Sequence, residues 1–164
     1  MKILVVSDTH RETSALSWLL KKFRGRVDLL LHLGDCVSDA QEVMKDFPTV
    51  AFLGVLGNCD YRSGIGNFAY EGSFSAENKR IFYTHGHKYN VNFGLEYLAS
   101  NAKMNGADIV FYGHTHVSHA ELLGNVLVIN PGSLTNPRDG SKGTYAYVEI
   151  DRDNVKYKIS EVEI

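Results

Sequence analysis

Short apolar runs alternate with amphipathic stretches through the first two thirds of the chain. Residues 2 to 7 contain Ile3-Leu4-Val5-Val6, a continuous apolar run that predicts a strand buried on both faces. Similar runs occur at Asp28 to Leu33, Val50 to Leu56, Ile81 to Tyr83 and Asp108 to Tyr112. Between the first two, Leu16, Leu19, Leu20 and Phe23 recur at i, i+3, i+4 and i+7, the stripe of an amphipathic helix. Lys21, Lys22 and Arg24 suit the negative end of that helix, and Gly25 can close it. Ser38 and Gln41 have the spacing of a capping box for a second helix, which Pro48 would end. Leu95, Leu98, Ala99 and Ala102 repeat the helical stripe, and Gly106 stops it.

Strands alternating with helices predict right-handed βαβ units and a mostly parallel central sheet. From about residue 119 the pattern changes. Ala120 to Leu123, Val126 to Ile129, Thr144 to Ile150 and Val155 to Ile159 are short strand-like segments separated by turn residues such as Gly124-Asn125. They predict antiparallel hairpins forming a second sheet packed on the first. With no repeat, low-complexity tract or linker, the expectation is one α/β domain over residues 1–164.

Composition narrows the function classes. Of the 164 residues, 44% are hydrophobic and 22% charged, as in an ordinary soluble globular protein. A formal charge of −2 argues against an extended nucleic-acid interface. No apolar stretch approaches the roughly 20 residues that cross a membrane, and residues 3 to 6 are too short for a signal-peptide core. Two cysteines, Cys36 and Cys59, cannot build a disulfide framework, so a cytoplasmic location is expected.

The chemistry gathers where the apolar runs end. Asp8 and His10 follow the first, Asp35 the second, Asn58 the third, His85 and His87 the fourth, and His114 and His116 the fifth. Open α/β sheets place their ligands at the carboxyl ends of parallel strands. Asp8 and Asp35 offer anionic oxygens, Asn58 a carbonyl oxygen, and His10, His85, His114 and His116 imidazole nitrogens. Mixed nitrogen and oxygen donors without thiolate suit Mn, Fe, Ni, Co or Zn better than calcium or magnesium. Seven such side chains are too many for one ion and enough for two.

Asp8-x-His10, Gly34-Asp35, Gly57-Asn58, His85 and Gly113-His114-x-His116 resemble, in order, the signature of the calcineurin-like metallophosphoesterases. Gly57-Asn58-Cys59-Asp60, the small size and Asn130-Pro131-Gly132-Ser133 resemble the compact bacterial and archaeal phosphodiesterases of the YfcE type within that superfamily. The resemblance runs from residue 3 to about Arg138. It implies a two-layered mixed β sandwich flanked by helices, four layers in the order α/β/β/α. It also implies that Asp8, His10 and His116 hold one metal, Asn58, His85 and His114 the other, and that Asp35 bridges them. The implied reaction is phosphodiester hydrolysis by a metal-bridging hydroxide, Mn2+ being the first expectation for the metal pair. Hydrolysis of phosphomonoesters or nucleotides at the same centre is the alternative chemistry. A non-catalytic scaffold like the retromer subunit that shares the fold is the alternative class.

One position departs from the family pattern. Many relatives carry a histidine after the Asn, where it helps protonate the leaving group; here that residue is Cys59. Beside two cations its thiol is expected to ionise, which would make it a poor acid and favour esters with acidic leaving groups. Cys59 as simple filler is an equal reading, and His87 is the substitute acid or phosphate contact. Asn130 to Ser133 reads as a turn shaping the site wall, His32 and His119 as core or surface residues, and Cys36 as a small buried hydrophobe. Arg138 reads equally as a phosphate contact or a solvated cation. Tyr61, Phe68, Tyr70 and Phe74 fall in the least regular segment, as core or as the substrate entrance. The expected partner is a small phosphodiester, and self-association into a homo-oligomer is common among such relatives.

Overall fold

The computed structural model describes residues 1–60 and 67–163. In chain order the elements are β1 (Lys2–Val6), α1 (Thr13–Lys22), β2 (Leu29–His32), α2 (Val37–Val43), β3 (Ala51–Gly54), β4 (Glu71–Ala76) and β5 (Lys79–Thr84). There follow α3 (Glu96–Met104), β6 (Ile109–Phe111), β7 (Ser118–Leu123), β8 (Val126–Pro131), β9 (Thr144–Asp151) and β10 (Asn154–Glu161). The described strands form two five-stranded mixed sheets, ordered β10-β9-β1-β2-β3 and β4-β5-β6-β8-β7. Within each, the central strands run parallel: β1 with β2 and β2 with β3 in the first, β5 with β6 and β6 with β8 in the second.

The runs of β1, β2, β5 and β6 are continuous because both faces of these strands are covered, whereas the edge strand β3 is only partly buried. Between the sheets lie Ile3, Val5, Leu29, Leu31 and Leu33 from one side and Ile81, Ile109, Phe111 and Ile129 from the other. The opposite face of the first sheet packs Leu4, Val6 and Leu30 against Leu16, Leu19 and Leu20 of α1 and Ala40 and Val43 of α2. The outer face of the second sheet packs Phe82, Val110 and Val128 against Leu98, Ala99 and Ala102 of α3. Four layers result, α/β/β/α, with α1 and α3 burying the stripes read from their sequences.

Two expectations are corrected. The C-terminal hairpins do not make a sheet of their own. β7 and β8 join the second sheet, where β8 lies parallel to β6, while β9 and β10 join the first, where β9 lies antiparallel to β1. Nor do Ser38 and Gln41 form a capping box. α2 starts two residues earlier, at Val37 with Cys36 as its N-cap, and the Val37 N–H donates to Asp60 Oδ1 at 3.0 Å, so the helix start is satisfied from a distant loop. β4 adds a strand where the sequence looked least regular; Phe74 there meets Tyr83 edge to face, whereas Tyr61 lies outside the described residues. No helix among the described residues is long and apolar enough to cross a membrane.

Phe111 is fully buried at the middle of the inter-sheet layer. Phe111→Ala is expected to destabilise the protein by about 3–5 kcal/mol, read as a lower urea midpoint at unchanged slope.

Candidate metal centre

All the chemistry-bearing residues leave the carboxyl ends of parallel strands, and they do so from both sheets. Asp8 and His10 follow β1, Asp35 follows β2 and Asn58 follows β3; His85 and His87 follow β5, and His114 and His116 follow β6. The loops that carry them turn sharply. Asp8, His10, Asp35, His114 and His116 all take positive φ, between 45° and 71°. Close approach adds to this: a Cβ on Gly57 would lie 2.1 Å from Asp35 Oδ1, and one on Gly113 2.1 Å from Ser7 Oγ. Glycine is required at both places by contact rather than by φ.

One ligand atom from each of Asp8, His10, Asp35 and His116 lies within 4.8 Å of the others. His10 Nε2 and His116 Nε2 are 3.2 Å apart. His116 Nδ1 donates to the Asn136 carbonyl at 2.6 Å, so in the neutral ring Nε2 carries a lone pair aimed at the cluster. That nitrogen stands 3.2 Å from Asp8 Oδ1, which is buried with no hydrogen bond aligned on it. His85 repeats the arrangement. Its Nδ1 donates to the Leu33 carbonyl at 2.7 Å, leaving the Nε2 lone pair 3.1 Å from Asn58 Oδ1 and 3.5 Å from Asp35 Oδ1. Electron pairs thus face electron pairs at two adjoining places, and a cation between them relieves that repulsion.

His114 stands at the edge of this arrangement. Its ring lies 5.1 Å from that of His85, but its Nε2 meets the Asn92 amide at 3.0 Å. His87 is half-buried, with its ring 5.3 Å from His85 and 5.9 Å from Tyr70. Burial, aided by neighbouring His85, pushes His87 down to about 4, so it is neutral near pH 7. Cys59 is exposed at the rim, and its backbone N–H donates to Asp35 Oδ1 at 2.8 Å. Desolvation first, then the Asp35 carboxylate, pushes its thiol up to about 12. The protein's own groups therefore oppose the ionisation expected of this thiol.

Burial raises Asp8, yet the neighbouring His116 and His85 outweigh it and hold the carboxyl below its ordinary value. His116 is raised: burial alone lowers it, but Asp8 and the Asn136 carbonyl overcome that effect. A proton on this pair would therefore compete with any cation placed there.

Asn130 to Ser133 ties the loops together. Asn130 Nδ2 donates to the Gly113 carbonyl and to Thr115 Oγ1, both at 3.0 Å, and Ser133 Oγ donates to the Asp8 carbonyl at 2.8 Å. Arg138 is exposed, its backbone N–H bonded to the His116 carbonyl at 3.2 Å. Three contributors carried no sequence signal. Thr9 and Asp39 hydrogen-bond to each other at 2.7 Å beneath the cluster, and Asn92 reaches His114. Asp39 sits in the first turn of α2, where any acidic residue suits the helix dipole, so its position advertises nothing more. His32, read as core or surface, is fully buried and joins Thr9 at 3.2 Å.

Residues 1–153 match the calcineurin-like phosphoesterase superfamily domain. The chain is 32% identical over 154 residues to the probable metallophosphoesterase YsnB of Bacillus subtilis, covering 93% of this chain and 86% of that protein. It is 30% identical over 172 residues to the phosphodiesterase YfcE of Escherichia coli K12, covering 92% and 89%. Among solved structures, a predicted phosphoesterase of Streptococcus pneumoniae TIGR4 superposes with a TM-score of 0.80 at 29% identity, covering 99% of this chain and 92% of that one.

Burial lowers His32 from 6.5 to about 4. The unfolded chain takes up this proton near pH 6.5 and the folded protein only near pH 4, so the stability tied to neutral His32 is complete above 6.5. It is lost as the pH falls from there through 4, a difference on the order of 3 kcal/mol. Urea unfolding of metal-free protein between pH 7 and 4 should show that loss, and His32→Leu should flatten it.

Proposed function

Because the chain belongs to the calcineurin-like phosphoesterase superfamily, we propose that it is a metal-dependent phosphodiesterase acting on small diesters at a binuclear centre. The observation that carries this reading is the facing of electron pairs, His116 Nε2 with Asp8 Oδ1 in one half, beside His10 Nε2, and His85 Nε2 with Asn58 Oδ1 in the other. Asp8, His10 and His116 would hold one divalent cation, Asn58, His85 and His114 the second, with Asp35 shared between them. Mn2+ is the first expectation, and Ni2+, Fe2+, Co2+ or Zn2+ also suit these donors. Such cations supply a water of lowered pKa and a positive clamp on phosphoryl oxygens.

The protein's own residues set the rest. Backbone carbonyls of Leu33 and Asn136 hold the His85 and His116 rings with Nε2 inward, so neither ring needs to reorient to bind. Asp35 is fixed by the Cys59 N–H and by the close approach of Gly57. Neutral His87, its ring beside those of His85 and His114, would donate a hydrogen bond to a phosphoryl oxygen or to the leaving group. Diesters are favoured over monoesters by the phosphodiesterase name of the E. coli relative. The apolar cluster shared by both sheets supports reading residues 1–164 as one domain, and two free thiols fit a cytoplasmic location.

Protein purified without chelator is expected to carry two transition-metal ions per chain by elemental analysis and to cleave bis(p-nitrophenyl) phosphate. Asp35→Asn should lower kcat by at least about 100-fold with an unchanged circular dichroism spectrum; retained activity would refute the shared-ligand assignment. Cys59 stands where many relatives carry a histidine, so turnover should fall steeply as the leaving group becomes more basic. Cys59→His should flatten that dependence, whereas identical slopes for Cys59→Ala, Cys59→His and the parent would make Cys59 a spectator.

A further inference from the structure

We infer that His32 is a positioning residue: through Gly34 and Thr9 it fixes the loop after β1 against the loop after β2, and so sets the spacing of Asp8, His10 and Asp35. This rests on the reading that those three side chains hold a cation. His32 is fully buried among leucines on β2, where Leu29, Leu30, Leu31 and Leu33 surround it in sequence. Another leucine would bury there without loss of solvation, so its hydrogen bonds must account for the imidazole.

Those bonds have one consistent direction. The Gly34 N–H donates to His32 Nδ1 at 3.2 Å, which places the ring hydrogen on Nε2. Nε2 then donates to Thr9 Oγ1, 3.2 Å away. Thr9 has one hydroxyl hydrogen, and the shortest of its contacts, 2.7 Å, is to Asp39 Oδ2. Asp39 Oδ2 also accepts from the Arg11 N–H at 2.8 Å, which returns the chain to the loop after β1. From Gly34 through His32 and Thr9 to Asp39 each bond runs in the same sense, the condition under which such bonds reinforce one another, and Asp39 Oδ2 ends the relay as the shared acceptor of Thr9 and Arg11.

The relay spans the backbone that most needs support. Asp8, His10 and Arg11 on one loop and Asp35 and Cys36 on the other all have positive φ, a conformation that non-glycine residues keep only when their surroundings over-determine it. Thr9 lies between Asp8 and His10, and Gly34 directly precedes Asp35. A shift of either loop would move two donors at once.

The test is calorimetric titration of the metal-free full-length protein with Mn2+. The variants are His32→Leu, His32→Gln, Thr9→Val and the double variant His32→Leu/Thr9→Val. His32→Leu and Thr9→Val should each weaken Mn2+ binding about 10- to 100-fold, and the double variant should be no weaker than the worse single one. His32→Gln, whose amide can still donate toward Thr9, should recover part of the loss. At saturating Mn2+ the variants should regain kcat, since every ligand is intact. Affinities for His32→Leu and Thr9→Val within about twofold of the parent would overturn the inference. Should His32→Leu fail to fold, Thr9→Val decides alone, because it keeps the volume and removes only the hydroxyl. A parent protein that binds neither Mn2+ nor, titrated in the same way, Ni2+, Fe2+, Co2+ or Zn2+ would overturn the proposed function, and this inference with it. A parent that binds while its variants match it overturns only the role of His32.

Discussion

Left-handed backbone at non-glycine residues is the constraint on which this architecture depends. Seven such residues, Asp8, His10, Arg11, Asp35, Cys36, His114 and His116, occupy the three loops that carry most of the candidate ligands. Each costs about 1–2 kcal/mol relative to ordinary backbone. In a protein of marginal stability that sum persists only where surrounding contacts leave no alternative. Those contacts are visible. The Asp8 N–H donates to the Gly34 carbonyl, Ser133 holds the Asp8 carbonyl, Asn130 holds the Gly113 carbonyl, and Asp60 accepts from both Gly57 and Val37. Sharp turns let side chains two residues apart converge on one point, which regular strand geometry would not allow.

The rest of the fold serves that edge. Continuous apolar strands carry most of the loops, and three apolar clusters cover both faces of the central strands. Polar residues enter this interior where they touch the loops: Ser7, Thr9, His32, Asp39, Asn130 and Ser133 are all buried there. Asp8 is the extreme member, a fully buried carboxylate with one oxygen lacking an aligned donor. Such a group is stable only next to positive charge, whether a proton on His116 or a metal ion.

Much of this was legible in the sequence. Apolar runs fixed the strands, and the first Asp, Asn or His beyond each run identified what the strand delivers; Asp8, His10, Asp35 and His116 do converge as that logic requires. Strand partners were not legible. Val126 to Pro131 and Thr144 to Asp151 look alike as strands, but β8 pairs with β6 and β9 with β1, choices made by contacts far apart in sequence. The α2 start was misread because its first N–H is satisfied by Asp60, more than 20 residues away, and not by Ser38. β4 was missed because Glu71-Gly72-Ser73-Phe74-Ser75-Ala76 has little apolar alternation. His32 looked like one more core position, since a buried hydrogen-bond relay leaves no periodic trace.

The two sheets contribute to the centre separately. Asp8, His10, Asp35 and Asn58 belong to the first, and His85, His114 and His116 to the second. Between the sheets lie apolar side chains, whose attraction opposes separation but has little directional preference and so resists sliding weakly. Ligation across the seam would be directional. An ion gripped from both sides would act as a rivet at one end of a greased joint, making the sandwich stiff to shear at that edge while the opposite end keeps the looser mechanics of oil against oil.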